Sequence, residues 1–195
     1  MQRPELSPFR RHWSLSKDIV FLNHGSFGAC PIPIQRKQAE LRAQMEAEPV
    51  QFLWRHYEDR LEPSRQALAE FIGARPADVV FVNNATTGVN SVVRSIRWRD
   101  GDEILTTSCD YNACRNALAA AVRDTGARIV VADIPFPVTS DDEIVEAILR
   151  RVTAKTRLAM IDYVTSNTAR IFPIERIVRE LGFVGRTPRW AIAHK

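Results

Sequence analysis

Short apolar runs, rich in β-branched residues, recur between longer segments with helical spacing. This alternation constrains the fold more than any other feature of the chain. Val79-Val80-Phe81-Val82, Glu103 to Thr107, Ile129-Val130-Val131 within Arg128 to Ala132, and Arg157 to Tyr163 read as strands. Uninterrupted runs of this kind suit strands buried on both faces, as in a parallel sheet. Between them lie helical segments. Thr87 to Ile96 carries Val89, Val92, Val93 and Ile96 on one face, and the alanine-rich stretch Asn112 to Thr125 ends at Gly126. Ser140 and Glu143 form a capping box, each serving an orphan amide of the other, for a helix running to Val152. Pro173 to Leu181 is the last helix, with proline at its start. Strand alternating with helix four times predicts an α/β fold, a three-layer α/β/α arrangement around a mainly parallel sheet.

The front of the chain reads differently. Residues 1–20 form an irregular lead-in, and Ile19-Val20-Phe21-Leu22 runs into the turn-forming Asn23-His24-Gly25-Ser26-Phe27-Gly28. Pro31 and Pro33 precede a helix from Ile34 to Ala47, closed by Glu48-Pro49. Leu53, Trp54, Tyr57, Leu61, Leu68 and Phe71 recur at three- and four-residue steps, an amphipathic helix kinked or divided at Pro63 and stopped by Gly73. The expected organisation is an arm and helix over 1–50, an α/β region over 51–181 and a tail over 182–195.

Composition narrows the function classes. A hydrophobic share of 45% and a charged share of 26% are those of an ordinary globular protein. The net charge is +4, but the basic side chains alternate with acids, as in Glu58-Asp59-Arg60, and form no stripe for nucleic acid. No run of roughly 18 apolar residues exists for a membrane span, and Met1 to Arg11 lacks an apolar signal core, which predicts a cytoplasmic protein. Cys30, Cys109 and Cys114 make an odd set without zinc-hook spacing, so neither a disulfide framework nor a metal site is expected.

In open α/β sheets ligands gather where strands end and helices begin. Three loops qualify here. Asn83-Asn84-Ala85-Thr86-Thr87-Gly88 offers hydroxyls and free helix amides to an anion, or serves only as a helix cap. Thr107-Ser108-Cys109-Asp110-Tyr111-Asn112 places one aromatic ring, either to stack on a flat ligand or to pack beneath the following helix. Asp162-Tyr163-Val164-Thr165-Ser166-Asn167-Thr168 is crowded with groups that hydrogen-bond a polar ring substituent or simply build a turn. No dinucleotide fingerprint or P-loop is present.

The order of these blocks is more specific than any one of them. Phe21-Leu22-Asn23-His24-Gly25-Ser26-Phe27-Gly28, Asn84-Ala85-Thr86-Thr87-Gly88-Val89-Asn90, Gly101-Asp102-Glu103-Ile104-Leu105, and Val164-Thr165-Ser166 through Ile171-Phe172-Pro173-Ile174-Glu175 succeed one another in the chain. Together they resemble class V aminotransferases of the isopenicillin-N-epimerase-like kind, over roughly residues 18 to 181. The resemblance implies the N-terminal part of the large domain of a fold-type I enzyme that uses pyridoxal 5'-phosphate on an amino-acid substrate and works as a homodimer. It implies that Ala85, Thr86 and Thr87 hold the cofactor phosphate, Tyr111 stacks on the pyridine ring, Ser166 lies near the ring hydroxyl, and Asn23 and His24 approach the substrate.

The resemblance stops near Leu181. Members of this family carry a carboxylate for the pyridine nitrogen and then a Schiff-base lysine further along, in an Asp-x-Ala-His-like strand end and a His-Lys loop. Gly182 to Lys195 does not resemble that next strand, and Lys17, Lys37 and Lys155 stand in the wrong context. His194-Lys195 imitates the catalytic pair but comes too early. Tyr163 and Asn167 stand where relatives often have histidine and proline, which bears on substrate more than cofactor. The expectation is a truncated or frameshifted product of a longer gene, inactive alone or serving as a binding or dimerisation module. Sequencing downstream of the codon for Lys195 tests it.

Overall fold

A computed structural model describes residues 7–183 and 190–194 of the chain. It divides into two compact units, Met1–Val80 and Phe81–Lys195.

In the first unit, the four-residue helix α1 (His24–Phe27) follows the Asn23 turn. Helix α2 (Ile32–Ala47) begins on Pro31 and Pro33, where a missing amide costs nothing. The next amphipathic segment is divided, but not at Pro63. A π-turn over Gln51–Arg55 ends at His56, and α3 (Tyr57–Ile72) then runs unbroken through Pro63. Gly73 closes α3 in the left-handed conformation (φ 70°), donating to Ala69 and Glu70 carbonyls.

The second unit is the α/β domain. Its elements are α4 (Ala85–Ser95), β1 (Glu103–Thr107), α5 (Asn112–Val122), β2 (Arg128–Ala132), α6 (Asp141–Leu149), β3 (Thr156–Asp162), α7 (Ile174–Phe183) and β4 (Trp190–His194). The strands form one parallel sheet in the order β2-β1-β3-β4. Period-two alternation divides its side chains between two cores. Ile104, Leu158 and Met160 meet Val89, Val93, Cys114, Ala117 and Leu118 of α4 and α5 on one face. Leu105, Ala159 and Ile161 meet Ile144, Val145, Ile148, Ile177 and Leu181 of α6 and α7 on the other. Crossovers of one hand explain this split. The chain steps one way from β1 to β2 and the opposite way from β2 to β3 and β4, so α5 falls on the face opposite α6 and α7.

Two strand expectations are corrected. Val79–Val82 is not a strand: Val80 is 79% exposed and Phe81 and Val82 are each 47% exposed. The run straddles the boundary between the units, and β propensity without a hydrogen-bonded neighbour does not make a strand. Conversely, the tail, in which no strand was expected, supplies one. Trp190–His194 pairs in parallel with β3, Leu158 opposite Trp190 and Asp162 opposite His194. The capping box is also altered. Ser140 does accept from the Glu143 amide, but the Glu143 carboxylate turns to the amide and hydroxyl of Thr139 instead.

The amino edge of the sheet is closed by Glu103, which is fully buried. Its carboxylate accepts from Arg128 Nη2 at 2.6 Å, Thr153 Oγ1 at 2.6 Å and Thr156 Oγ1 at 3.4 Å. Burial pushes this carboxyl up, but the Thr153, Arg128 and Thr156 hydrogen bonds outweigh it and hold it below the usual glutamate value. A lowered folded pKa means stability that is present above the unfolded value and lost as pH falls through the folded one. Glu103→Gln should therefore lower unfolding free energy at neutral pH by about 1–3 kcal/mol. In urea titrations the deficit should begin to shrink below the ordinary glutamate value of about 4.3, where the unfolded chain takes up the proton first, and close once the folded carboxylate is protonated as well.

Candidate functional site

In the strand order, β1 lies between β2 and β3, so the direction of connection reverses at the β1–β3 pair. Such a reversal opens a crevice at the carboxyl ends of the two strands. The loops carrying Tyr111 and Ser166 both leave the sheet there.

The β1 exit is tightly organised. The Ser108 amide donates to the Ala132 carbonyl at 2.9 Å, and its hydroxyl accepts from the Ile134 amide at 3.0 Å, which ties this exit to that of β2. Asp110, 7% exposed, folds back onto the strand end, accepting from the Thr107 amide at 3.1 Å and the Thr107 hydroxyl at 2.8 Å. Burial raises its pKa to about 7 against those hydrogen bonds, and the neighbouring Asp162 carboxylate adds to the rise. Tyr111 follows as the N-cap residue of α5, with its side chain 42% exposed and making no capping bond.

The β3 exit ends in Asp162, whose carboxylate is fully buried and accepts from the Tyr111 amide at 3.0 Å. Beyond it a small loop is closed by the Val164–Ile171 bridge. Thr165, buried, holds that loop from inside: its hydroxyl shares a 2.6 Å hydrogen bond with Thr168 and accepts from the Arg170 amide at 3.0 Å. Ser166 stands on the exposed side of this loop. Both cysteines nearby are held as thiols. Burial raises Cys109, and burial followed by Asp162 and Asp110 pushes Cys114 up to about 11, so neither is a ready nucleophile.

At the start of α4, Asn84 Oδ1 accepts from the Thr87 amide at 2.8 Å and the Thr87 hydroxyl at 3.1 Å. The cap alternative is therefore present, and it occupies Thr87. The Ala85 and Thr86 amides have no acceptor within the helix by geometry and carry the positive end of its dipole. Helices α4 and α5 share one core. The structure thus joins the Tyr111 and Ser166 loops through Asp162 and sets the Ala85–Thr87 turn in the same unit. Asn23 and His24 belong to the first unit, where the exposed His24 ring lies 4.7 Å from Phe21 and 5.8 Å from Trp13.

Asp110 and Asp162 received no role from the sequence, although both stood inside the loops singled out. The available signal was an acid directly after an apolar strand, as in Met160-Ile161-Asp162. A separate open cleft of about 620 Å³, lined by Tyr163, Ile171, Pro173, Arg176 and Arg179 among others, includes none of the candidate cofactor residues. Lys195 lies outside the described residues.

The sequence profile of the Aminotransferase class-V family matches residues 39–184. The chain belongs to that family. Among curated class V relatives, isopenicillin N epimerase of Amycolatopsis lactamdurans is 33% identical over 174 residues, covering 88% of this chain and 44% of its own length. Hercynylcysteine sulfoxide lyase of Schizosaccharomyces pombe is 29% identical, covering 87% of this chain and 43% of its own length. This class V chain therefore spans less than half the length of these relatives. Among solved structures, a mutant of C-DES with glycine covalently linked to its PLP cofactor superposes with a TM-score of 0.83 at 20% identity, over 97% of this chain and 50% of that one. The cysteine desulfurase CsdA of Escherichia coli gives 0.76 at 18% identity, over 96% and 49%. These likenesses establish the fold-type I architecture. Among the described residues no helix is long and apolar enough to cross a membrane.

Proposed function

We propose that this class V chain is the cofactor-cradling part of a pyridoxal-phosphate enzyme acting on an amino acid, in the manner of the epimerases and carbon–sulfur lyases it resembles. The observation that carries the proposal is the convergence of the Tyr111 and Ser166 loops at the β1–β3 crevice. The residues fit the group. Ala85 and Thr86 offer amides to a phosphate at a helix N-terminus. The half-open Tyr111 ring offers a stacking face, and Ser166 a hydroxyl for a ring substituent. Asn23 and His24 are assigned to the substrate side. Pyridoxal phosphate, when bound, supplies an electron-withdrawing ring that weakens bonds at the substrate α-carbon.

A specific observation favours a chain that binds but does not react alone. Lys155 is the lysine described in the α/β unit, and it precedes β3 at the amino edge, where its carbonyl accepts from the Glu103 amide. The candidate site lies at the carboxyl edge. Titration of the purified chain with pyridoxal phosphate should give saturable binding by absorbance and a raised melting temperature. Borohydride reduction should leave no single modified lysine. A stoichiometric adduct on one lysine refutes the non-reactive reading, and absence of saturable binding refutes the cofactor reading.

A further inference from the structure

We infer that Asp162 is a positioning residue for Tyr111, its buried carboxylate fixing the main chain that aims the ring into the β1–β3 crevice. The inference rests on the cofactor reading above and deepens it by naming what holds the stacking face in place.

The geometry is specific. Asp162 is the last residue of β3, and its Oδ2 reaches across to the Tyr111 amide at 3.0 Å, bridging positions 51 residues apart in sequence. On the other side of the same residue, the Tyr111 carbonyl accepts from the Cys114 and Arg115 amides at 3.0 and 3.1 Å. The peptide groups flanking the Tyr111 α-carbon are therefore both tied, at φ −63° and ψ 126°. With both tied, the direction in which the ring leaves the chain is set before any ligand arrives. The Tyr111 amide belongs to the N-cap residue of α5, so Asp162 also faces the positive end of that helix. A fully buried carboxylate is costly unless hydrogen-bonded, and a packing role alone is met as well by an apolar residue. Four residues on, Ser166 stands in the loop braced by Thr165. Asp162 thus couples the two loops at the carboxyl edge, where preorganisation lowers the ordering cost of binding.

The test compares Asp162→Ala, Asp162→Asn and Tyr111→Ala in the full chain, with pyridoxal phosphate as the probe and circular dichroism to confirm folding. Asparagine keeps an acceptor for the Tyr111 amide and loses the charge, whereas alanine loses both. Tyr111→Ala should weaken binding about three- to tenfold through loss of stacking. Asp162→Ala should weaken it by a similar factor and speed hydrogen exchange at the Tyr111 amide. Asp162→Asn should remain within about twofold of wild type, and Tyr111→Ala combined with Asp162→Ala should lose little more than either alone. If Asp162→Ala does not fold, Asp162→Ser, whose oxygen falls short of the amide, takes its place against the asparagine variant.

Equal loss in folded Asp162→Asn and Asp162→Ala overturns the inference, because charge and not the hydrogen bond then matters. So does unchanged binding in Asp162→Ala while Tyr111→Ala binds weakly. Both results leave the cofactor reading standing. No saturable binding by the unaltered chain overturns that reading and this inference with it, and binding that Tyr111→Ala leaves intact overturns the stacking role of Tyr111.

Discussion

Phe172→Ala is expected to remove about 3–5 kcal/mol of unfolding free energy, a large fraction of what a domain of this size possesses. Phe172 is 1% exposed and is the largest fully buried side chain among the described residues. Its ring packs in the core formed by Leu105, Ile134, Ile144, Ile148, Ile161 and Ile177. Its backbone is engaged on both sides, the amide donating to the Tyr163 carbonyl and the carbonyl accepting from the Ile174 amide, each at 2.8 Å. Truncation leaves a cavity between sheet and helices in a place whose main chain has no freedom to collapse. Urea unfolding of wild type, Phe172→Ala and Phe172→Leu measures it, the leucine variant expected to lose under about 2 kcal/mol. A loss below about 1 kcal/mol for alanine would show that the β3–α7 connection is not packed against the core as described.

The second large effect is a pH dependence. Asp110 is pushed up to about 7, first by burial and then by the Asp162 carboxylate, against the Thr107 hydrogen bonds and the Arg115 charge. In the unfolded chain its carboxyl titrates near the ordinary value of about 3.9. Between those two values the native state holds a proton that the unfolded state has released, so stability falls as pH rises through this window. Each pH unit in the window costs about 1.36 kcal/mol, so the whole contribution approaches about 4 kcal/mol as an upper bound. Asp110→Asn mimics the protonated side chain, its oxygen accepting from the Thr107 amide and its nitrogen donating to the Thr107 hydroxyl. The variant should match wild type near pH 4 and exceed it increasingly up to about pH 7, with a constant gap above. Parallel stability curves for the two proteins across that range would contradict the burial of a protonated Asp110.

The same residues show why some of this site was readable in advance. A run such as Ile129-Val130-Val131 and a periodic segment such as Ser140 to Leu149 carry their structure in local pattern, because burial of one face or both is written into residue spacing. The positions of the loops that follow β1 and β3 were legible for the same reason, because each begins where the apolar pattern of a strand ends. Asp110 and Asp162 were not given roles, because the force that decides a carboxylate's state is what surrounds it. The partner that Asp162 holds is 51 residues away in sequence. Val79–Val82 failed for a related reason. Its composition is that of a strand, but a strand also needs a neighbour, and local sequence does not say whether one is present.

What the amino-acid sequence determined by itself was the alternation of elements, the α/β class, the family and the positions of the polar loops that follow β1 and β3. Those follow from periodicity, turn residues and ordered motifs, all of which are local. What only the tertiary structure decided was the strand order β2-β1-β3-β4, the recruitment of Trp190–His194 as the fourth strand, and the meeting of Tyr111 with Asp162. Each of these joins residues distant in the chain. Their free energy comes from pairing and burial, and those exist only once the sheet has closed around them.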